Sequence, residues 1–163
     1  MSPKVAKFCE ALQSRYHRLA VLPTSHETDE EKLAQRIAES CDATPLNVGL
    51  MLSERMMETP VSQRPSQVSV EFQPIADSHP FVILYHLAIL FAPELQVSGF
   101  RMFLQLSRNV STVALLACQF NETAIWYAEP GHPEYRQHTV SDFYIITPQQ
   151  LKVLGWEECD EIS

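Results

Sequence analysis

Glycine is scarce in this chain: Gly49, Gly99, Gly131 and Gly155 are the only four in 163 residues, and no two lie close together. A phosphate-cradling loop needs several backbone N–H groups in close approach, which takes clustered glycines. Such a loop is therefore excluded. Cysteine is also sparse and unpaired in pattern: Cys9, Cys41, Cys118 and Cys159 show neither a CxxC nor any metal-type spacing. They read as reduced thiols of a cytoplasmic protein. No GxSxG is present, and Ser107 and Ser111 flank a turn with no histidine near them in sequence. The longest apolar run, Phe81–Ala92, contains His86 and is far short of the ~20 residues that span a bilayer. Lys4 and Lys7 are followed by an amphipathic pattern instead of a continuous apolar stretch, so no signal peptide is expected. Asn109-Val-Ser111 and Asn121-Glu-Thr123 match the glycosylation pattern but, without an export signal, are read as turns.

Basic residues are the last shortage, with 12 Lys and Arg against 20 Asp and Glu and a formal charge of −8. Broad binding to nucleic acid or anionic membrane needs cationic surface, so both are disfavoured. The imbalance is uneven. Residues 1–58 hold seven Lys/Arg against nine Asp/Glu, and residues 59–163 hold five against eleven. Within residues 1–20, Lys4, Lys7, Arg15 and Arg18 face only Glu10, so the first helix is locally basic. Glu157, Glu158, Asp160 and Glu161 make an acidic end. With 45% hydrophobic and 20% charged residues, the composition is that of a globular chain and not of a disordered one.

The sequence changes grammar at Thr59–Gln67, where TPVSQRPSQ carries two prolines in a polar stretch. Before it, apolar residues recur at helical spacing. Val5, Phe8, Leu12, Tyr16 and Leu19 predict one amphipathic helix over 3–20. Thr28 and Glu31 form a capping-box pattern opening a second helix to about Ser40. Thr44 and Pro45 predict the start of a third, which carries Leu46 to Met56. After the break, Val68, Val70 and Phe72 alternate as in a half-buried strand, and Phe81–Phe91 predicts a helix buried on most sides. Runs at 100–108, 112–120, 123–128 and 140–146 read as further strands, and Thr147-Pro148-Gln149-Gln150 caps a short final helix ending at Gly155. The expected fold is α+β. A tri-helical unit (1–58) and a Pro-containing linker (59–67) precede a mostly antiparallel sheet of about five strands packed on one buried helix (68–163).

Three function classes stay open. The leading reading is a non-enzymatic acidic module of adaptor, chaperone-like, immunity or regulatory type that binds a protein partner, a basic one by charge complementarity. Its expected surface is the loop 129–141 (EPGHPEYRQHTVS), long enough for a functional loop and stiffened by two prolines. There Glu129, His132, Glu134, Tyr135, Arg136 and His138 are the candidate contacts. The second reading is a helix-turn-helix regulator over Leu33–Met56, with Asn47 and Arg55 reading bases and Lys4, Lys7, Arg15 or Arg18 on phosphates. Asp42 at the turn, and Glu54 and Glu58 beside Arg55, weigh against it. A third reading is a small enzyme using His132, His138 and Glu134 with Asp142 as acid–base groups. His79 and His86, seven apart on one predicted helix, and His132 with His138 invite a metal, but no HExxH or HxH spacing supports one. No cofactor and no membrane partner is expected, and the chain is read as a monomer or homodimer.

Overall fold

The run Leu19-Ala-Val-Leu is apolar at every position, which suits a strand covered on both faces better than the end of an amphipathic helix. The computed structural model describes residues 1–91, 99–121, 124–127, 136–139 and 143–157. Along them run α1 (Pro3–Gln13), β1 (Leu19–Thr24), α2 (Glu30–Cys41), β2 (Thr44–Asn47) and α3 (Val48–Met57). A 3-10 turn, Val61–Gln63, leads into α4 (Arg64–Ser78), followed by β3 (Phe81–Tyr85) and a second 3-10 turn, Ala88–Phe91. Then come α5 (Gly99–Leu106), β4 (Ser111–Ala117), β5 (Gln119–Phe120), β6 (Ala124–Tyr127), β7 (Arg136–Thr139), β8 (Tyr144–Ile145) and α6 (Pro148–Val153).

Five strands form one parallel sheet in the order β2-β3-β4-β1-β8, and β5-β6-β7 form a small antiparallel sheet. Alternate residues of each central strand enter opposite cores, as the period of two demands. Leu19, Val21, Val82, Leu84, Ala114 and Leu116 pack with α3, α4 and α5 through Leu52, Phe72 and Phe103. Ala20, Leu22, Phe81, Ile83, Val113 and Leu115 pack with α1 and α2 through Val5, Leu12 and Ile37, and with Trp156. The result is a three-layer α/β fold with helices on both faces.

This overturns the expected α+β architecture, its tri-helical unit and its antiparallel sheet. Polar Ser14-Arg15-Tyr16-His17-Arg18 ends α1 and releases β1. Thr44-Pro45 opens strand β2 and not a helix; α3 begins after Asn47, whose Oδ1 accepts from Leu50 N. Pro45 is tolerated because β2 lies at the sheet edge. Val68, Phe72 and Ile75 satisfy helical spacing as well as Val68, Val70 and Phe72 satisfy alternation, and the 50% exposure of Val70 shows that the helix, α4, won. Phe81–Tyr85 is a five-residue strand buried throughout, where a helix was expected. The predicted strand at 100–108 is α5, with Met102, Phe103 and Leu106 inward. The strand expected over 140–146 is described only at Tyr144–Ile145, while the Thr147 capping box is present.

Candidate functional site at the carboxyl ends of the strands

In a parallel sheet with helices on both faces, the loops leaving the carboxyl ends of the strands converge and build the usual ligand crevice. Here the ends of β1, β2 and β3 deliver Thr24, Asn47 and His86 to one corner. The first residue of α2, Glu30, ties them together. Its Oε2 accepts from Thr24 Oγ1 at 2.8 Å, and its Oε1 accepts from the His86 backbone N–H at 2.9 Å. His86 sits at φ 56, in the left-handed region that costs a non-glycine residue on the order of 1–3 kcal/mol. The carboxylate bond to its N–H helps hold it there.

The imidazole is oriented as well. His86 Nδ1 lies 3.3 Å from Asn47 Oδ1, and that oxygen also accepts from Leu50 N at 3.0 Å as the cap of α3. The N–H of Leu50 fixes the amide with its oxygen inward, so the facing ring nitrogen must donate. The neutral ring is therefore the Nδ1–H tautomer, and Nε2 is left as an acceptor on an exposed side chain. Gly49 closes the corner: a Cβ there would stand 2.9 Å from the His86 carbonyl oxygen. Outside it lies a cleft of about 450 Å³, walled by Ser25, His26 and Thr28 after β1, by Leu87 and Ile89 after β3, and by Leu116 and Tyr127.

The β1–loop–α2 segment is a strand–loop–helix unit, the setting in which helix N-termini hold phosphate. In this chain the setting is chemically reversed. Asp29 caps α2 by accepting from Lys32 N at 3.2 Å, and Glu30 and Glu31 fill the first turn. The loop satisfies itself: Ser25 N donates to Thr28 Oγ1 at 3.1 Å and Thr28 N to Ser25 O at 3.0 Å. A phosphate about 4 Å from such a carboxylate would meet a repulsion on the order of 1–4 kcal/mol per charge pair. The corner favours donors and neutral groups over phosphates.

The predicted site residues fare unevenly. Glu129, His132, Glu134, Tyr135 and Asp142 lie outside the described residues. Arg136 and His138 belong to β7, paired with Tyr127 and Ile125, so a strand begins inside the segment expected to be loop. Asn47 is spent as a helix cap, and Arg55 lies 3.6 Å from Glu71. A strand stands between α2 and α3 where the helix-turn-helix pattern expected a turn. Lys4, Lys7 and Arg15 line one groove, and Arg15 also borders a second one with Arg18, Tyr16 and Arg108. His79 follows α4 and His86 follows β3, so they share no helix. Among the described residues, no cluster of His, Cys, Asp and Glu is placed to hold a metal ion. The same residues include no helix long and apolar enough to cross a membrane. Sequence reasoning missed Glu30 and the role of His86. The available signal was a polar residue directly after five apolar β-formers, Phe81–Tyr85, which marks a strand's carboxyl end. Compared with known families, curated proteins and solved structures, the chain matches none.

Proposed function

We propose that this chain is a non-enzymatic binding module that docks a protein partner through the outer surface of α3 and α4. One observation carries the reading. Leu50, Met57, Val61 and Val70 are exposed by 58%, 84%, 62% and 50%, and all four belong to α3, the following 3-10 turn and α4. Met1, Tyr16 and Val153 are exposed as well, but the first four fall in one stretch of chain, and exposed apolar surface of this kind serves interaction, with methionine adapting to varied partners. Glu54 and Glu58 on the same segment are exposed, which suits a partner that pairs apolar groups with Lys or Arg. The reversed electrostatics of the β1–α2 corner support binding over phosphate chemistry. The loop residues Glu129, His132, Glu134, Tyr135, Arg136 and His138 are proposed as a second contact region. A cytoplasmic setting is supported by the free thiols of Cys9, Cys41 and Cys118.

The test is capture from nuclease-treated native extract by the tagged full chain, wild type against Met57→Glu/Val61→Glu. A stoichiometric partner held by the wild type and lost by the variant, with unchanged circular dichroism, is expected. Retention by the variant, or disappearance of the partner on nuclease treatment, would overturn the proposal.

A further inference from the structure

The basic N-terminal helix finds no use in the reading above. Successive helix positions turn by about 100°, so Lys4, Lys7, Phe8 and Ala11 fall on one side of α1. Arg15 follows just past the cap at Ser14. This side forms one wall of a groove of about 320 Å³ whose opposite wall comes from α6, with Tyr144 of β8 between them. Phe8 lies 6.1 Å from the Tyr144 ring and meets Trp156 edge-on at 5.4 Å. Leu12, Val153 and Leu154 complete an apolar lining. Gln150 Nε2 donates to Tyr144 Oη, which engages both polar tips.

The rim has the opposite character. None of Lys4, Lys7 and Arg15 pairs with a carboxylate among the described residues, unlike Lys32 with Asp29 and Arg55 with Glu71. Three unpaired cations thus bound an apolar groove on a chain of net charge −8. Local field and not overall charge decides what an opening attracts. A nucleic-acid backbone has no apolar part to fill the groove. A membrane surface calls for four to eight clustered cations, roughly, and for a protruding apolar face in place of a concave one. The volume is near the lower end of ligand pockets, roughly 300–1,000 Å³.

We propose that the α1–α6 groove binds a small anionic amphiphile, its carboxylate held by Lys4, Lys7 and Arg15 and its apolar chain lying against Phe8 and Leu154. The probe is decanoate below its micelle concentration, titrated into the full chain and followed by heteronuclear NMR, with decanol as the uncharged control. Decanoate is expected to shift α1 and α6 resonances saturably and to bind at least about tenfold more tightly than decanol. Lys7→Glu/Arg15→Glu is expected to weaken decanoate about tenfold while leaving decanol unchanged. Ala11→Trp, at an exposed position on the groove wall, is expected to block both. Dispersed spectra of each variant establish that it folds; Lys4→Glu/Lys7→Glu replaces the first variant if that one does not. Shifts confined to other parts of the chain, equal binding of decanol, or indifference to the charge reversals would each overturn the proposal.

Discussion

Replacing Gly49 by alanine isolates the contact that closes the strand-end corner. Gly49 is the second residue of α3, and its backbone does not need the left-handed region, so space alone requires glycine. A Cβ would stand 2.9 Å from the His86 carbonyl oxygen and 3.1 Å from the His86 Cβ. The first is a backbone atom of a residue already pinned by Glu30 at 2.9 Å, so it cannot rotate away. Overpacking of this kind costs typically about 1–3 kcal/mol. Alanine recovers up to about 1 kcal/mol over glycine through helix propensity, less in the first turn. The net expectation is destabilisation by about 1–2 kcal/mol, which for a chain of this size lowers Tm by roughly 2–8 °C. Urea titration should show a lower midpoint with an unchanged m value. Adding His86→Gly removes the Cβ contact but leaves the carbonyl, so the double variant should recover part of the loss and give a measurable coupling energy. A Gly49→Ala protein as stable as the wild type would refute the reasoning.

Three further outcomes follow from the same contacts. Glu30→Ala removes the acceptor of the His86 N–H and of the Thr24 hydroxyl, both within reach of water, and should cost about 0.5–1.5 kcal/mol by chemical denaturation. Trp156→Ala empties a fully buried site and deletes the 3.0 Å bond to Ser40 Oγ, so a loss of about 3–5 kcal/mol is expected from the unfolding midpoint. Burial pushes the Cys118 thiol up from its ordinary 9.0 to about 12. The unfolded chain therefore releases that proton first as pH rises, so its contribution to stability is intact below pH 9 and falls between 9 and about 12. Cys118→Ala should flatten the loss of Tm over that window relative to wild type.

What the sequence made legible was local and periodic. The cap at Thr147 and the inward Leu33, Ile37 and Cys41 of α2 stand where spacing put them, whereas the expected face of α1 holds through Leu12 only, Tyr16 being exposed and Leu19 belonging to β1, and Asp29 caps α2 in place of the expected Thr28. The sheet was misread because its strands are short and buried on both faces, so the alternation that advertises a half-exposed strand is missing from Leu19–Leu22 and Phe81–Tyr85. Short apolar runs of this kind fit a buried helix equally well by period. The site was misplaced for a related reason. A corner built from Thr24, Glu30, Asn47 and His86 spans more than sixty positions of sequence, and the parallel register of β2 on β3, β3 on β4 and β1 on β4 brings its parts together. Helical spacing set His86 among core residues, whereas its position past the end of a strand makes it exposed.

The two proposed surfaces belong to opposite layers of the molecule, and this shapes how they act together. α3 and α4 pack on the core that receives Leu19 and Val21 of β1, and α1 packs on the core that receives Ala20 and Leu22. A protein on the first surface and an amphiphile in the α1–α6 groove therefore meet no common side chain and can be bound at once. Any influence of one on the other has to pass through the sheet, whose central strands are buried on both faces and packed too closely for continuous adjustment. Coupling by that route requires a sheet with two discrete arrangements. Among the described residues His86, held in the left-handed region by Glu30 of α2 and facing Asn47 at the start of α3, lies between the layers. It joins a helix of one layer to a helix of the other. Independent binding is the expectation while that corner holds, and Glu30→Ala is the substitution expected to change it.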